Sequence, residues 1–290
     1  MVSASIRGCA RWIAISAAIV GLSAKVAVAT PVGSVFVTGH DPDFHATSGV
    51  TINAQHIIQD ALTFVRDGST LPVLLLQSNT NNIALGDHLN SELGIIASGY
   101  TAGATPGNHY VKVDATTFSS LSVAALLATY SAIVVPSDHG GTLTEQDLAA
   151  LDARSSDILA YLNGGGGLFA MAEDGDHSGC VGACTAPLFG FLPFLVSSTA
   201  FSEAESGNTV TPFGASLGLT NTDVNGNFSH NIFTATGGMN VVDVDARGEI
   251  LSLGFRGTFT PTGVDTPEPS TMVLLGSALG LLGMKRRRRR

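Results

Sequence analysis

The central part of the chain alternates between short apolar runs and longer amphipathic segments. Short runs rich in apolar residues predict strands at 34–37, 73–76, 110–113, 132–136 and 168–171, and the continuously apolar run 73–76 predicts a strand that is buried on both sides. Apolar residues recur at helical spacing between them and predict helices over 53–66, 85–96, 123–128 and 144–163. The last of these helices has Thr144 in position to cap its start and four glycines, 164–167, to end it. Strands that alternate with helices predict βαβ crossovers and a mostly parallel sheet covered on both faces.

The C-terminal part of the chain has a different pattern. The runs 239–245 and 250–255 flank the four residues 246–249 and predict a β-hairpin. The apolar stretch 187–196 continues the core, and the Thr-, Pro- and Gly-containing residues 258–265 predict a linker. Together these patterns predict an α/β fold: a flavodoxin-like three-layer domain with a mostly parallel sheet, a C-terminal β-hairpin and a short C-terminal anchor helix.

Both ends of the chain have the composition of targeting segments. Arg7 and Arg11 precede an apolar stretch at 12–22, and an A-x-A cleavage site at 27–29 predicts a signal peptide over residues 1–29. An uncleaved signal anchor is the alternative. At the other end an apolar run, 272–284, is followed directly by six basic residues, 285–290. As a helix that run rises about 20 Å, which is less than the roughly 30 Å of bilayer hydrocarbon, and its basic end favours the cytoplasmic side.

The order of features in the tail is specific. Pro267, Glu268 and Pro269 come before the apolar run and the basic cluster, and residues 266–290 therefore resemble the PEP-CTERM sorting signal of exported bacterial proteins. The resemblance implies signal peptidase and an exosortase-type sorting protease as partners. It also implies a precursor held in the membrane by its C-terminal segment with the domain outside the cytoplasm, then a cell-surface or extracellular location. Extracellular polysaccharide is a further candidate partner.

The net charge becomes more negative when the two targeting segments are left out. The whole chain has a formal charge of −9, but nine of its 14 basic residues lie in the two targeting segments. The part between them keeps five basic residues against 22 acidic ones, which gives −17. Such a surface repels nucleic acid, so we expect no nucleic-acid partner.

A second resemblance covers the middle of the chain. The stretches 133–136, 143–146 and 164–173 are similar in order to class I glutamine amidotransferase-like and ThuA-like domains. The resemblance implies one domain over 30–257, with a core at 33–173 and an elaboration at 174–257. Amidotransferases use a cysteine nucleophile at the turn after the strand. Ala172 holds that position here, and an alanine methyl cannot attack a substrate, so we expect either a non-catalytic relative or chemistry located elsewhere.

Acidic residues and histidines follow three of the predicted strands. In open parallel sheets ligands bind outside the carboxyl ends of the strands, so these loops predict a ligand or metal site, with a divalent cation as a candidate. The alternatives are ordinary capping of turns and helices and a catalytic site. The residues concerned are His40, Asp41, Asp43, His45, Asp138, His139, Glu173, Asp176 and His177. His230 matches the approximate place of the amidotransferase family's downstream histidine, or is a plain loop histidine.

Two cysteines remain after removal of the signal peptide. Cys180 and Cys184 are close in sequence, and an oxidising exterior favours a disulfide between them. A metal site with His177 and a pair of free thiols are the alternatives.

From the tail and the absence of a cysteine at position 172, the leading function is an exported surface or matrix-associated protein with a non-catalytic binding or structural domain. The competing class is a hydrolase or a metal- or ligand-processing enzyme that uses the strand-end residues.

Overall fold

A computed structural model describes residues 31–47, 51–78, 91–138, 141–173, 187–204, 206–226 and 228–265. These residues form a twelve-stranded sheet with helices packed against it. The predicted mixed α/β class is confirmed.

The strands are β1 Gly33–Thr38, β2 Val73–Leu76, β3 Thr101–Ala102, β4 His109–Val113, β5 Ala132–Val135, β6 Gly167–Ala170, β7 Ser197–Ala204, β8 Thr209–Val210, β9 Phe228–Ala235, β10 Asn240–Val244, β11 Ile250–Thr260 and β12 Gly263–Asp265. The helices are α1 Pro42–His45, α2 Thr51–Arg66, α3 Ser91–Ala97, α4 Ala115–Ser120, α5 Val123–Thr129, α6 Glu145–Ala153, α7 Ser155–Asn163 and α8 Pro212–Leu217. Each apolar run expected to be a strand falls within β1, β2, β4, β5 or β6, or extends past its end by one residue.

The main path of the sheet runs β3-β4-β2-β5-β6-β1-β11-β10-β8. The six strands from β3 to β1 are parallel, whereas β1 pairs with β11 in the antiparallel sense. A flavodoxin-like order places the first strand between the second and the third. Here β1 lies beyond β6, so a flavodoxin-like topology is not confirmed. Strand β11 pairs along all of β1, which leaves β1 in the interior of the sheet.

The antiparallel part begins with the predicted hairpin. Strands β10 and β11 pair as expected, and the turn is closed by a hydrogen bond from the Asp245 amide to the Glu249 carbonyl, 2.9 Å.

The expected linker over 258–265 is instead β-structure, because β11 extends to Thr260 and pairs with β12. The cause is Phe259, whose side chain is buried against Phe194 and Phe255. Asn163 fixes the Phe259 backbone with two hydrogen bonds of 2.9 Å.

Two hydrophobic clusters lie against the sheet, and alternate strand residues divide between them. Val35 and Val37 of β1 belong to the cluster that contains α4 to α7, whereas Phe36 belongs to the cluster that contains α2 and α3. The apolar stretch after residue 186 joins the first cluster through buried phenylalanines, as expected. The central parallel strands β1, β2, β5 and β6 are therefore buried on both faces.

The structure has two helices where the sequence predicts one. Residues 144–163 break between α6 and α7 at Arg154, whose backbone leaves the helical region at φ −114° and ψ 16°. The Arg154 guanidinium donates to the carbonyl oxygens of Phe118 and Leu121 and lies over the Phe118 ring. The break therefore coincides with a packing contact between Arg154 and the end of α4, which helical periodicity does not reveal. Thr144 begins α6 with a capping box to Asp147, as predicted.

The predicted anchor helix and sorting tail, with Pro267, Glu268 and Pro269, lie outside the described residues. Among the residues that are described, no helix is long and apolar enough to cross a membrane.

Candidate functional site

The loops after β1, β5 and β6 meet at one edge of the sheet because these three strands are neighbours. Backbone hydrogen bonds continue past the strand ends, from the Ala172 amide to the His40 carbonyl and from the Asp138 amide to the Ala172 carbonyl, both 3.0 Å. The acidic and histidine residues that directly follow these strands are at most 1% exposed: His40, Asp41, Asp138 and Glu173. We call this set, with the residues that bond to it below, the rim network.

His40 makes the most buried pair of the network. Its Nε2 lies 2.9 Å from Oδ2 of Asp243 on β10, and both residues are 0% exposed. The His40 amide donates to the Thr38 hydroxyl, 3.1 Å. An Asp–imidazole contact of this kind selects one orientation and one tautomer of the ring. It also connects the first parallel strand to the antiparallel part of the sheet.

Asp41 lies between two histidines. Its carboxylate oxygens are each 3.4 Å from an imidazole Nε2, one from His45 on α1 and the other from His230 on β9. His230 is a strand residue, 2% exposed, and its amide donates to the Gly39 carbonyl at 2.7 Å. The interpretation of His230 as a loop histidine is therefore wrong. Gly39 permits this approach, because an added Cβ would collide with the carbonyl oxygen of Asn231.

Asp43 bonds to the neighbouring helix and strand. Its carboxylate accepts the Ser91 hydroxyl at 2.6 Å, the Ser137 hydroxyl at 2.6 Å and the Ser137 amide at 3.1 Å. These three donors satisfy a carboxylate that is 0% exposed. Asp43 thereby fixes the loop after β5 and the start of α3, which is a positioning role within the fold.

Glu173 is fixed through both its backbone and its side chain. Its amide donates to Oδ1 of Asn231 at 2.8 Å, and its carbonyl accepts from Nδ2 of the same residue. The side chain accepts the amide of Phe189 at 2.8 Å. Glu173 therefore holds the apolar stretch 187–196 against the turn after β6.

The structure thus brings together His40, Asp41, Asp43, His45, Asp138 and Glu173. The other predicted site residues, His139, Asp176, His177, Cys180 and Cys184, lie outside the described part of the chain. Within the described ranges, no group of three or more His, Cys, Asp or Glu residues has an arrangement that could hold a metal ion.

Sequence reasoning missed Asp243 and Asn231. Asp243 interrupts the apolar run of β10, and Asn231 is the last of three consecutive polar residues in β9, so each was visible as a polar residue in a β segment. Nothing local indicates their partners, because His40 and Asp243 are 203 residues apart in sequence.

A further buried carboxylate lies near the ends of β2 and β5. Asp147 accepts hydrogen bonds from the Ser78 and Thr144 hydroxyls. Burial raises the pKa of the Asp147 carboxyl above its ordinary value, and the hydrogen bonds from Ser78 and Thr144 oppose that rise. Asp147 completes the capping box with Thr144 at the start of α6 and adds a contact between α6 and the loop after β2.

Comparison with known families gives a match at the end of the chain. Residues 265–290 match the model of the PEP-CTERM protein-sorting motif. This tail is a PEP-CTERM sorting motif. The motif implies processing by exosortase and an exported precursor anchored in the membrane. No curated protein and no solved structure matches the chain, so the amidotransferase-like resemblance of the middle region gains no support from relatives.

Proposed function

We propose that this chain is an exported, exosortase-processed protein that displays its middle domain at the cell surface or in the extracellular matrix. In this proposal the domain has a binding or structural role and is not catalytic. The two clusters that line opposite faces of the parallel strands support a three-layer arrangement for it. Signal peptidase acts on the N-terminal segment, and extracellular polysaccharide is a candidate partner of the mature protein.

The burial and bonding of the rim network carry the proposal for the domain. His40 contacts Asp243 of β10, and Glu173 is bonded to Asn231 of β9. Side chains that reach substrate must be accessible, whereas these are at most 1% exposed. Their bonds join the parallel strands to the antiparallel strands. A structural network accounts for that arrangement without a substrate.

Ala172 supports the same conclusion. The residue at the position of the amidotransferase nucleophile is 0% exposed and is bonded through its backbone to the loops after β1 and β5. We expect no glutaminase activity from the purified protein. Glutamine hydrolysis that persists in a Cys180→Ala, Cys184→Ala variant would contradict this expectation, because it would require another nucleophile at that turn.

A hydrolytic or ligand-processing function is the second candidate. The observation in its favour is Asp41, since a carboxylate between two imidazoles is a common arrangement for moving protons. His230→Gln tests it. The wild type and the variant are compared on a panel of ester and amide substrates. If the wild type hydrolyses a substrate and the variant does not, while both have the same free energy of unfolding, the result would favour an enzymatic function. Loss of stability without any activity to lose would favour the structural role.

Intact-mass measurement tests the proposal that both ends of the chain are removed by proteases. We expect protein recovered from the cell surface to lack residues 1–29 and the basic cluster Arg286–Arg290. Surface material that retains Arg286–Arg290 in cells with an active sorting protease would contradict tail cleavage.

Thiol labelling under non-reducing, denaturing conditions tests the proposed Cys180–Cys184 disulfide. We expect no labelled thiol in the mature protein. Two labelled thiols per chain would remove the disulfide and favour the metal site with His177.

A further inference from the structure

A cavity of about 570 Å³ lies between the first half of α2 and the segment that follows α8. It is an open depression that is accessible to solvent along much of its length. Polar groups line both sides, with His56, Gln59 and Asp60 on α2 and Thr220, Thr222 and Asp223 on the facing segment. None of the rim network residues lines it, so it is a separate feature of the molecule.

Asp223 is a fixed anion in the cavity wall. Its carboxylate accepts the Thr220 amide at 2.8 Å, the Thr220 hydroxyl at 2.7 Å and Nδ1 of His56 at 2.7 Å. Burial opposes ionisation of Asp223, but the hydrogen bonds from Thr220 and His56 outweigh it and lower the pKa below its ordinary value. Thr220 and His56 therefore already donate hydrogen bonds to the Asp223 carboxylate.

Asp60 is in the opposite situation. Its carboxylate accepts no hydrogen bond from any residue that the structure describes. Burial and the neighbouring Asp223 charge raise the pKa of Asp60, and His56 offsets only part of this. Gly218 lies directly against it, because an added Cβ would stand 2.9 Å from both carboxylate oxygens, and the backbone of Gly218 has a left-handed φ of +113°. Two carboxylates thus face one imidazole, which leaves excess negative charge in the cavity.

The remaining groups indicate what would neutralise that charge. Gln59 donates its Nε2 to the Ser98 carbonyl at 3.2 Å, which leaves its side-chain oxygen as an acceptor. Ile52, 55% exposed, supplies apolar surface at the edge. Within the described ranges no His, Cys, Asp and Glu group is arranged for a metal ion. The two carboxylates and the Gln59 side-chain oxygen suit a ligand that carries N–H donors and a positive charge.

We propose that this cavity binds a small organic cation through a primary ammonium group held by the carboxylates of Asp60 and Asp223. The site is independent of the role assigned to the rim network, so failure of either proposal leaves the other in place.

Titration of the mature protein with two matched pairs of probes tests the proposal. The first pair is n-butylammonium chloride and n-butanol, and the second is glucosamine and glucose. We expect at least one ammonium probe to bind in calorimetry and to raise the melting temperature, and its neutral partner to bind at least tenfold more weakly. The pair that shows the effect identifies whether the ligand body is alkyl or a sugar ring.

Asp60→Asn is the decisive variant, because it removes the charge without breaking a hydrogen bond. We expect it to weaken ammonium binding at least tenfold while the melting temperature without ligand stays the same or rises. Asp152→Asn is the matched control, since it removes one carboxylate charge from α6 and Asp152 does not line the cavity, and its binding should equal that of the wild type.

Three results would overturn the proposal. They are no binding of either ammonium probe, equal binding by the Asp60→Asn variant, or binding of calcium chloride that depends on Asp60 while the ammonium probes do not bind.

Discussion

The rim network and the cavity on α2 contain the same types of residue under different physical conditions. At the rim, His40 and Asp243 are completely excluded from solvent, and Nε2 of His40 contacts Oδ2 of Asp243 across the sheet. In the cavity, Asp60 is half-buried, accepts no hydrogen bond from the described residues and has a raised pKa. Clustered aspartates and histidines therefore do not by themselves identify a functional site. What distinguishes the two regions is that the rim carboxylates of Asp41 and Asp243 are buried against imidazole rings, whereas the carboxylate of Asp60 is half-buried and accepts no hydrogen bond from the described residues.

Asp243→Ala should have the largest effect on stability. The substitution leaves the buried His40 ring without its carboxylate, and an uncompensated buried partner costs about 3 kcal/mol. Denaturant unfolding at neutral pH measures the loss. Asp152→Asn, an exposed aspartate on α6, is the control and should change the free energy of unfolding by less than about 0.5 kcal/mol. Unchanged or increased stability in Asp243→Ala would indicate a functional site, where substitutions often stabilise.

Asn231→Ala should have the next largest effect. It removes both hydrogen bonds to the Glu173 backbone and leaves a buried amide and a buried carbonyl unsatisfied, at a cost of about 2 kcal/mol. Asn240→Ala is the matched control, because that asparagine is exposed and makes one long hydrogen bond of 3.4 Å. Equal unfolding free energies for the two variants would show that the Asn231 contacts contribute little.

Much of the local structure was predictable from sequence. The runs at β1, β2, β5 and β6 are mostly apolar because these strands are buried on both faces, and Thr144 caps its helix through contacts three residues away. The order of the strands was not predictable, since the position of β1 next to β11 depends on pairing between residues such as Val35 and Phe255. The candidate site shows the same limit: the sequence indicates the loops after β1, β5 and β6, but not Asp243 or Asn231.

Asp223→Asn tests the cavity wall. Because the folded-state pKa of Asp223 is lowered, its ionised form stabilises the fold above the ordinary pKa, and that contribution disappears as pH falls through the lowered value. We expect the variant to be less stable than the wild type by about 1 kcal/mol at neutral pH. The difference should shrink in acid. A difference that is constant with pH would contradict the assignment to an ionised carboxylate.

Asp60→Asn should have the smallest effect, and the opposite sign. Because the folded-state pKa of Asp60 is raised, stability is lost as pH rises from the ordinary carboxyl range through the raised value. The variant should therefore gain at most about 1 kcal/mol at neutral pH, since the group is partly exposed and screened. The gain should vanish in acid, and unfolding measured at several pH values checks this. A destabilised variant at neutral pH would show that Asp60 is satisfied after all.

Native-state amide hydrogen exchange tests the central claim, that the rim network is a structural part of the fold. The amides of Ala172, Glu173 and His230 all donate within it, at 3.0, 2.8 and 2.7 Å. We expect these amides to exchange only through global unfolding, with the same free energy of opening as the core strands, while the Thr220 amide in the cavity wall exchanges through a smaller local opening. Exchange of the three rim amides through a local opening several kcal/mol below the global value would contradict the claim, because it would show that the rim opens to solvent as an active site does.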